Sequence, residues 1–382
     1  MFLFYFLIAL IFASQFVFQK TEQSKRNYIF FMFSIFGLMI MLRHEYVGND
    51  TIDYIRFYRE VGRATDIEYF LEGTRFEKGF VYLCYYLNKI SLNPQLILIV
   101  SGAFVAYAFG RFIYKYSDIP WMSVLMFLCL EFFDMAMSGV RQIIAVAILL
   151  FAYDFLVERK FIRFLALVLL AASVHTSAIA FLIIYPFAGK KHKTSFYYWS
   201  VVIVGLIFVG FGSFIKLLEV VLPQYVHYLT NDEKSSVYTA GVTVAVALQF
   251  ALWLIIFVFS VMYVKKMKED TPTRRLRTRA IIENRKIYVN AVHELTMWFG
   301  VLALFLALRG TVLTRFKFVF ASSLLVYFPN MLSNVKRQNE RDLVSYVAGA
   351  VFVLYSVVIY TFRPEWQSTY PFHFFWETNF WR

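Results

Sequence analysis

Apolar and polar positions along this chain come in blocks. Runs such as "MFLFYFLIALIFASQFVF" at the start and "LVLLAASVHTSAIAFLIIYPF" at 167–187 show no residue-by-residue alternation. Several runs approach or exceed the roughly 18 residues that suggest a bilayer span. In hydrocarbon every backbone N–H and C=O must be paired inside the protein, so long runs without a period of two should be helical. The pattern predicts an all-α polytopic membrane protein, with residues 1–382 forming a single multi-pass domain. The first run lacks the positive start of a secretory signal, so it is expected to be a retained helix.

The polar blocks between the runs predict the topology. "QKTEQSKRN", "ERKFIR", "GKKHK", "NVKRQNERD" and the basic segment 265–288 carry the lysines and arginines expected on the cytoplasmic side. Residues 43–77 hold eight acidic side chains against five arginines, and this longer loop is expected outside. Alternating the runs between these loops works unless "GFVYLCYYLNKIS", residues 79–91, crosses as well. That short, Tyr-rich segment suits an interfacial or re-entrant helix. The expectation is then roughly twelve transmembrane helices, with both chain ends outside.

His175 sits in the middle of an apolar run flanked by basic clusters on both sides. Both flanks should face the cytoplasm, so the run must go up and come back. Each arm of ~13 residues gives ~20 Å of helix, short of a ~30 Å core, so the apex "VHTS" should lie below the outer surface. A single tilted helix is the competing reading.

Composition narrows the class further. The chain is 60% hydrophobic, 20% aromatic and only 16% charged, a balance too apolar for a soluble globular domain. Its net charge of +13 fits basic cytoplasmic loops rather than a nucleic-acid partner. Cys84 and Cys129 supply neither a disulfide framework nor zinc spacing. No G-x-x-x-x-G-K-[ST] phosphate loop and no Asp-x-Asp occur, so neither ATP nor a nucleotide sugar has a recognisable site.

The remaining ionisable residues gather at the expected outer ends of helices. They are Arg43 and Asp50 in "LRHEYVGNDTIDYIRFY", Glu77 in "RFEKGF", Arg141 and Gln142 in "FFDMAMSGVRQIIAVA", and Arg309 and Arg315 in "ALRGTVLTRFKF". His175 completes the set. Ionisable groups at membrane depth are costly and are read first as functional. Each also has a plain alternative. Arg141 can pair with Asp134 or Glu131 one or two turns back. Arg315 and Lys317 can snorkel. His175 can simply bond a carbonyl, Asp154 reads as structural, and Asp50 and Glu77 can be solvated loop carboxylates. Together, arginines that fork onto phosphate oxygens and a histidine that takes a proton suit a substrate with phosphate at the bilayer surface and a hydroxyl to activate.

In order along nearly the whole chain, "LRHEYVGNDTIDYIRFY", "FEKGF", "MSGVRQIIAVAILL", "LLAASVHTSAIAF" and "RFKFVF…YFP" resemble the EpsG family, relatives of the Wzy-type polymerases of O-antigen, capsule and exopolysaccharide. The resemblance implies an enzyme of the bacterial cytoplasmic membrane, without metal or cofactor. It would transfer a growing glycan from undecaprenyl pyrophosphate to the non-reducing end of a new lipid-linked repeat unit, with its site facing outward. A GT-C-like helical architecture is implied, as are a flippase and a chain-length regulator as partners. Within that chemistry His175 is the expected base, with Asp50 and Glu77 as competitors. Arg141 and Arg315 are expected to grip the pyrophosphate, with Arg43, Arg309 and Gln142 as further candidates. A flippase for lipid-linked oligosaccharide and a GT-C-like transferase using a polyprenyl-phosphate sugar remain alternatives, and a sugar acyltransferase is a weaker one.

Overall fold

A computed structural model describes residues 2–18, 21–189, 192–221, 244–269, 277–310, 313–335, 337–366 and 368–378. The basic residues Lys20, Lys190 and Lys191, and residues 270–276 of the expected cytoplasmic segment, lie outside that set. Of the described residues 82% are helical, and no strand occurs among them. It divides into two compact units, one made of residues 1–182 and 332–382 and the other of residues 183–331.

The first unit holds α1 (Phe2–Phe18), α2 (Glu22–Leu42), α3 (Thr51–Arg63), α4 (Ile67–Gly73), α5 (Lys78–Ile90), α6 (Gln95–Tyr116), α7 (Pro120–Cys129), α8 (Phe132–Ser138), α9 (Val140–Val157) and α10 (Phe161–Val174). A 3₁₀ segment, Thr176–Ile184, begins beyond α10. The second unit is built from α11 (Thr194–Val209), α12 (Phe211–Val221), α13 (Val244–Glu269), α14 (Arg277–Ala307), α15 (Thr314–Ala321) and most of α16 (Leu324–Ser333). The last helix, α17 (Gln338–Phe362), returns to the first unit.

Among the described residues six helices are long and apolar enough to cross a membrane: α2, α6, α9, Val244–Met262 of α13, Ile287–Ala307 of α14, and α17. The bent pairs α7–α8 and α15–α16 raise the number to eight if each is one span. This makes the chain an all-helical multi-pass membrane protein with six to eight candidate spans, fewer than the twelve crossings that alternation of loops requires. Length accounts for part of the difference. The 14 residues of α10 reach only ~21 Å at 1.5 Å per residue, well short of ~30 Å of hydrocarbon. Residues 78–90 form the short α5, outside the candidate spans. Its buried Phe80, Val81, Cys84 and Leu87 face the protein while Tyr86 and Ile90 are exposed.

α9 is the axis of the first unit. Its sequence is apolar on every face, as a helix surrounded by others requires, and nearly every side chain from Val140 to Leu150 is buried. α10 and α6 pack against it. α17 has Val347, Val351 and Leu354 exposed, the expected dress of a helix that meets lipid. Before α9 the chain breaks: α7 and α8 meet at 49°, with Glu131 in the left-handed region at φ 67°. The break places two buried carboxylates against tyrosines of α17 and its neighbourhood. Tyr355 Oη donates to Glu131 at 3.0 Å and Tyr360 Oη to Asp134 at 2.7 Å.

Within the second unit polar side chains fasten helix to helix. Tyr197 donates to Glu294 at 2.5 Å, Trp298 Nε1 to Ser200 at 2.9 Å, Asn330 to Asn290 at 3.2 Å and Lys317 Nζ to Gln249 at 2.5 Å. With lipid as apolar as the helices, such bonds and close packing carry the association.

Candidate active site

Arg141 stands in the first turn of α9, just past the chain break at Gly139. Its side chain is only 15% exposed. Nη1 donates to Glu77 Oε2, and the guanidinium lies over the Phe76 ring at 4.3 Å from its centroid and near that of Tyr54 at 5.9 Å. The aromatic floor dries the pair and aligns the cation with ring faces. Arg141 Nε is buried and has no hydrogen-bond partner, so one donor of the guanidinium is unused within the protein.

Glu77 reaches a second element with its other oxygen. Oε1 accepts from Thr176 N at 3.0 Å and from Thr176 Oγ1 at 3.2 Å. A carboxylate that receives an arginine, an amide and a hydroxyl is committed to holding them. Glu77 therefore ties the start of α9 to the end of α10, 64 and 99 residues away in sequence. Gly79, two residues on, makes the approach fit. A Cβ there would stand 2.6 Å from Ser173 O and 2.3 Å from Ser173 Oγ. Gly79→Ala should therefore cost about 1–3 kcal/mol of overpacking, seen as a lower melting temperature in detergent; unchanged melting would mean α5 and α10 do not pack this closely.

His175 is the residue where α10 stops. Its backbone is extended, φ −151° and ψ 114°, and the 3₁₀ segment follows at once. Phe164 near the start of α10 and Phe181 beyond the break have ring centroids 5.7 Å apart, so the chain turns back at His175. The expected reversal at "VHTS" is present. The imidazole is 5% exposed. Its Nδ1 accepts from Ser177 N at 3.3 Å and lies 2.8 Å from Ser177 Oγ. An amide can only donate, so Nδ1 carries the lone pair and the neutral ring keeps its proton on Nε2.

The loop bearing Arg43 and Asp50 rests on the same end of α9. Gly48, at φ +87°, sits where a Cβ would be 2.4 Å from Met137 O. Asn49 N donates to Ser138 Oγ at 3.1 Å, and Thr51 Oγ1 to Met137 O at 2.8 Å. Asp50 follows, exposed, at the start of α3. Arg43 has no exposed surface. It donates to Ile40 O and to Thr51 Oγ1 at 3.4 Å, and Nη2 is buried without a partner. Its visible work is to hold the loop. Tyr54 lies close enough to both Arg43 and Arg141 to feel each charge. The C-terminal segment closes over this loop: His44 N donates to His373 O at 2.9 Å, Gly48 N to Ser368 O at 3.0 Å and Phe375 N to Leu42 O at 2.9 Å.

The structure thus brings Glu77, Arg141 and the His175 turn together, seats the Asp50 loop on the start of α9, and buries Gln142 beside Arg141. Arg141 pairs with Glu77, not with Asp134 or Glu131, which the tyrosines take. Arg309 and Arg315 belong to the second unit, where Arg309 lies over the Phe208 and Phe211 rings at 5.3 and 5.7 Å. Tyr54, Phe76, Thr176 and Ser177 complete the site without having been singled out as site residues in the sequence. The adjacency of Phe76 to Glu77 and the hydroxyls beside His175 were the available signals. At the far end of α9, Asp154 binds Arg111, Lys115 at 2.8 Å and Tyr116 at 2.6 Å, a structural cluster in keeping with its reading above. Burial pushes the Cys84 thiol up, which leaves it a packing residue rather than a nucleophile. Among the described residues no group of three His, Cys, Asp or Glu is placed to hold a metal ion.

An all-helical, multi-pass membrane protein with an arginine, a carboxylate and a histidine turn joined at one helix end belongs to the class of membrane proteins with a built polar site. The family model described as the EpsG family matches residues 26–374. The chain belongs to the EpsG family, a Wzy-like family of polysaccharide polymerases. No curated protein and no solved structure matches the chain.

Proposed function

We propose that this protein joins oligosaccharide repeat units carried on undecaprenyl pyrophosphate at the outer face of the bacterial cytoplasmic membrane. The observation that carries the reading is the Arg141–Glu77–Thr176 chain, which fixes a guanidinium and the residue beside the imidazole to one carboxylate. The acceptor hydroxyl attacks the anomeric carbon of the donor glycan. The new glycosidic bond forms as the bond from that carbon to pyrophosphate breaks, and undecaprenyl pyrophosphate leaves with the electron pair. Arg141, whose Nε is unused within the protein, meets the charge that develops on the leaving group. The acceptor proton passes to His175 Nδ1 by way of Ser177 Oγ, which gives up its own proton and takes the sugar's. Glu77 is the positioning residue. Asp50 and Gln142 are offered to the sugar, and Arg309 and Arg315, which belong to the second unit, are kept as candidate pyrophosphate ligands.

In this reading the shorter apolar helices α1 and α11 add crossings to the spans above, the short arms of the His175 hairpin enter and return, and the number moves toward twelve, in a GT-C-like arrangement with both ends outside. A flippase supplies the repeat units, and a chain-length regulator works alongside. The test is the lipid pool of a deletion strain. Single repeat units should accumulate on undecaprenyl pyrophosphate at the outer face. Units retained at the inner face would assign the chain to transport instead.

A further inference from the structure

The outer surface of the first unit carries a groove that the reaction does not use. It runs between α2 and α6, encloses about 430 Å³ and is walled by apolar side chains for most of its length. The helices approach through small residues: a Cβ on Gly37 would meet Ala106 at 3.0 Å, and one on Gly102 would meet Met41 at 2.9 Å. On either side Phe30 and Tyr107 stand out, 76% and 64% exposed, as walls. From Met41 to Arg26 the groove follows 15 helical steps of α2, ~22 Å at 1.5 Å per residue. That is about the length of one extended fatty acyl chain.

One end is basic. Arg26 and Arg111 line the groove, and Lys25 stands over the Tyr114 ring at 5.5 Å. Lys115 is adjacent and shares the Asp154 carboxylate with Arg111. Four cations against Asp154 and the nearby Glu158, which also feels Lys115, leave the groove end positive. It is also the end of α9 opposite Arg141. Arg111 binds Asp154, 13 residues along the helix from Arg141, or ~20 Å.

We propose that this groove is a binding site for an anionic phospholipid, one acyl chain lying between α2 and α6 and the phosphate at Arg26 and Arg111. An apolar channel of membrane depth selects a hydrocarbon chain, and the basic end selects an anionic headgroup over a zwitterionic one. The site is separate from the one proposed for sugar transfer and does not depend on that reaction.

Native mass spectrometry of the purified protein, delipidated and then offered equal phosphatidylglycerol and phosphatidylcholine, tests this directly. Phosphatidylglycerol should be retained preferentially. Arg26→Gln, an exposed position, should lower that retention about fivefold, the worth of one basic side chain at an anionic surface. Ala103→Trp, which fills the groove from an exposed lining position, should lower retention of both lipids. Equal retention of the two lipids, or no change in either variant, would overturn the proposal. So would preferential retention of a polyprenyl phosphate, which would give the groove to the carrier lipid, or a dimer mass in place of bound lipid, which would give it to a second copy.

Discussion

His175→Ala should stop polymer growth while leaving the protein in the membrane at normal levels. Base catalysis by a positioned side chain is worth about 10²–10⁴ in rate, and loss at the upper end leaves only single repeat units on their lipid. The structure adds a condition to that expectation. Nδ1 is the ring's acceptor, and it faces Ser177, so the proton path to the ring crosses the Ser177 hydroxyl. Ser177→Ala should then lose most of the same activity, although serine is not itself a strong base. His175→Gln offers a control for packing, because it fills the turn and can still bond Ser177 but takes no proton. Chain length of the cell-surface polymer, measured beside protein level and melting temperature, separates the outcomes. Full-length polymer from His175→Ala would remove the base assignment. Normal polymer from Ser177→Ala alone would remove the relay and leave a direct transfer.

Much of this was legible before any coordinates. Hydrophobic blocks of the right length announce helices, because lipid leaves the backbone no other partner. The reversal at His175 could be read from charge, since two basic flanks on one side require the chain to return between them. The partner of Arg141 could not. Asp134 and Glu131 lie on the local stretch before it and were the natural candidates, yet the break between α7 and α8 points them toward Tyr360 and Tyr355. Glu77 lies 64 residues earlier, and only packing of α5 against α10 brings it in. Gly79 is the sequence trace of that packing, visible in "FEKGF" but not interpretable without knowing what approaches it. Arg43 reads as a ligand-binding arginine at a helix end facing the expected outer side, and nothing in the sequence signals that part of its guanidinium holds Ile40 and Thr51 inside the loop while Nη2 is left without a partner. The number of crossings is harder to read, because loop charge counts every reversal and a reversal made by two short arms looks the same as one made by two full spans.

Arg141→Lys should cut polymer formation about 10²–10³-fold, the usual cost of removing one donor from a site where charge develops. Lysine keeps the charge and can still reach Glu77, so the loss isolates the fork: a point charge cannot bond Glu77 and present a second, oriented donor to a phosphate oxygen at once. Glu77→Gln should behave differently. Removing one partner of a largely buried ion pair typically costs about 3–5 kcal/mol, so this variant should melt earlier and release the arginine, while the glutamine carbonyl can still accept from Thr176. Exchanging the two residues, Glu77→Arg with Arg141→Glu, then separates support from chemistry. The swapped pair can re-form an ion pair between α5 and α9 and recover melting temperature. It should recover no polymer, because the cation now stands at the start of α5 and Thr176 faces a guanidinium that cannot accept its hydrogen bonds. A swapped variant that both folds and polymerises would show that the arginine at the start of α9 is a strut between helices, and the pyrophosphate would have to be met elsewhere.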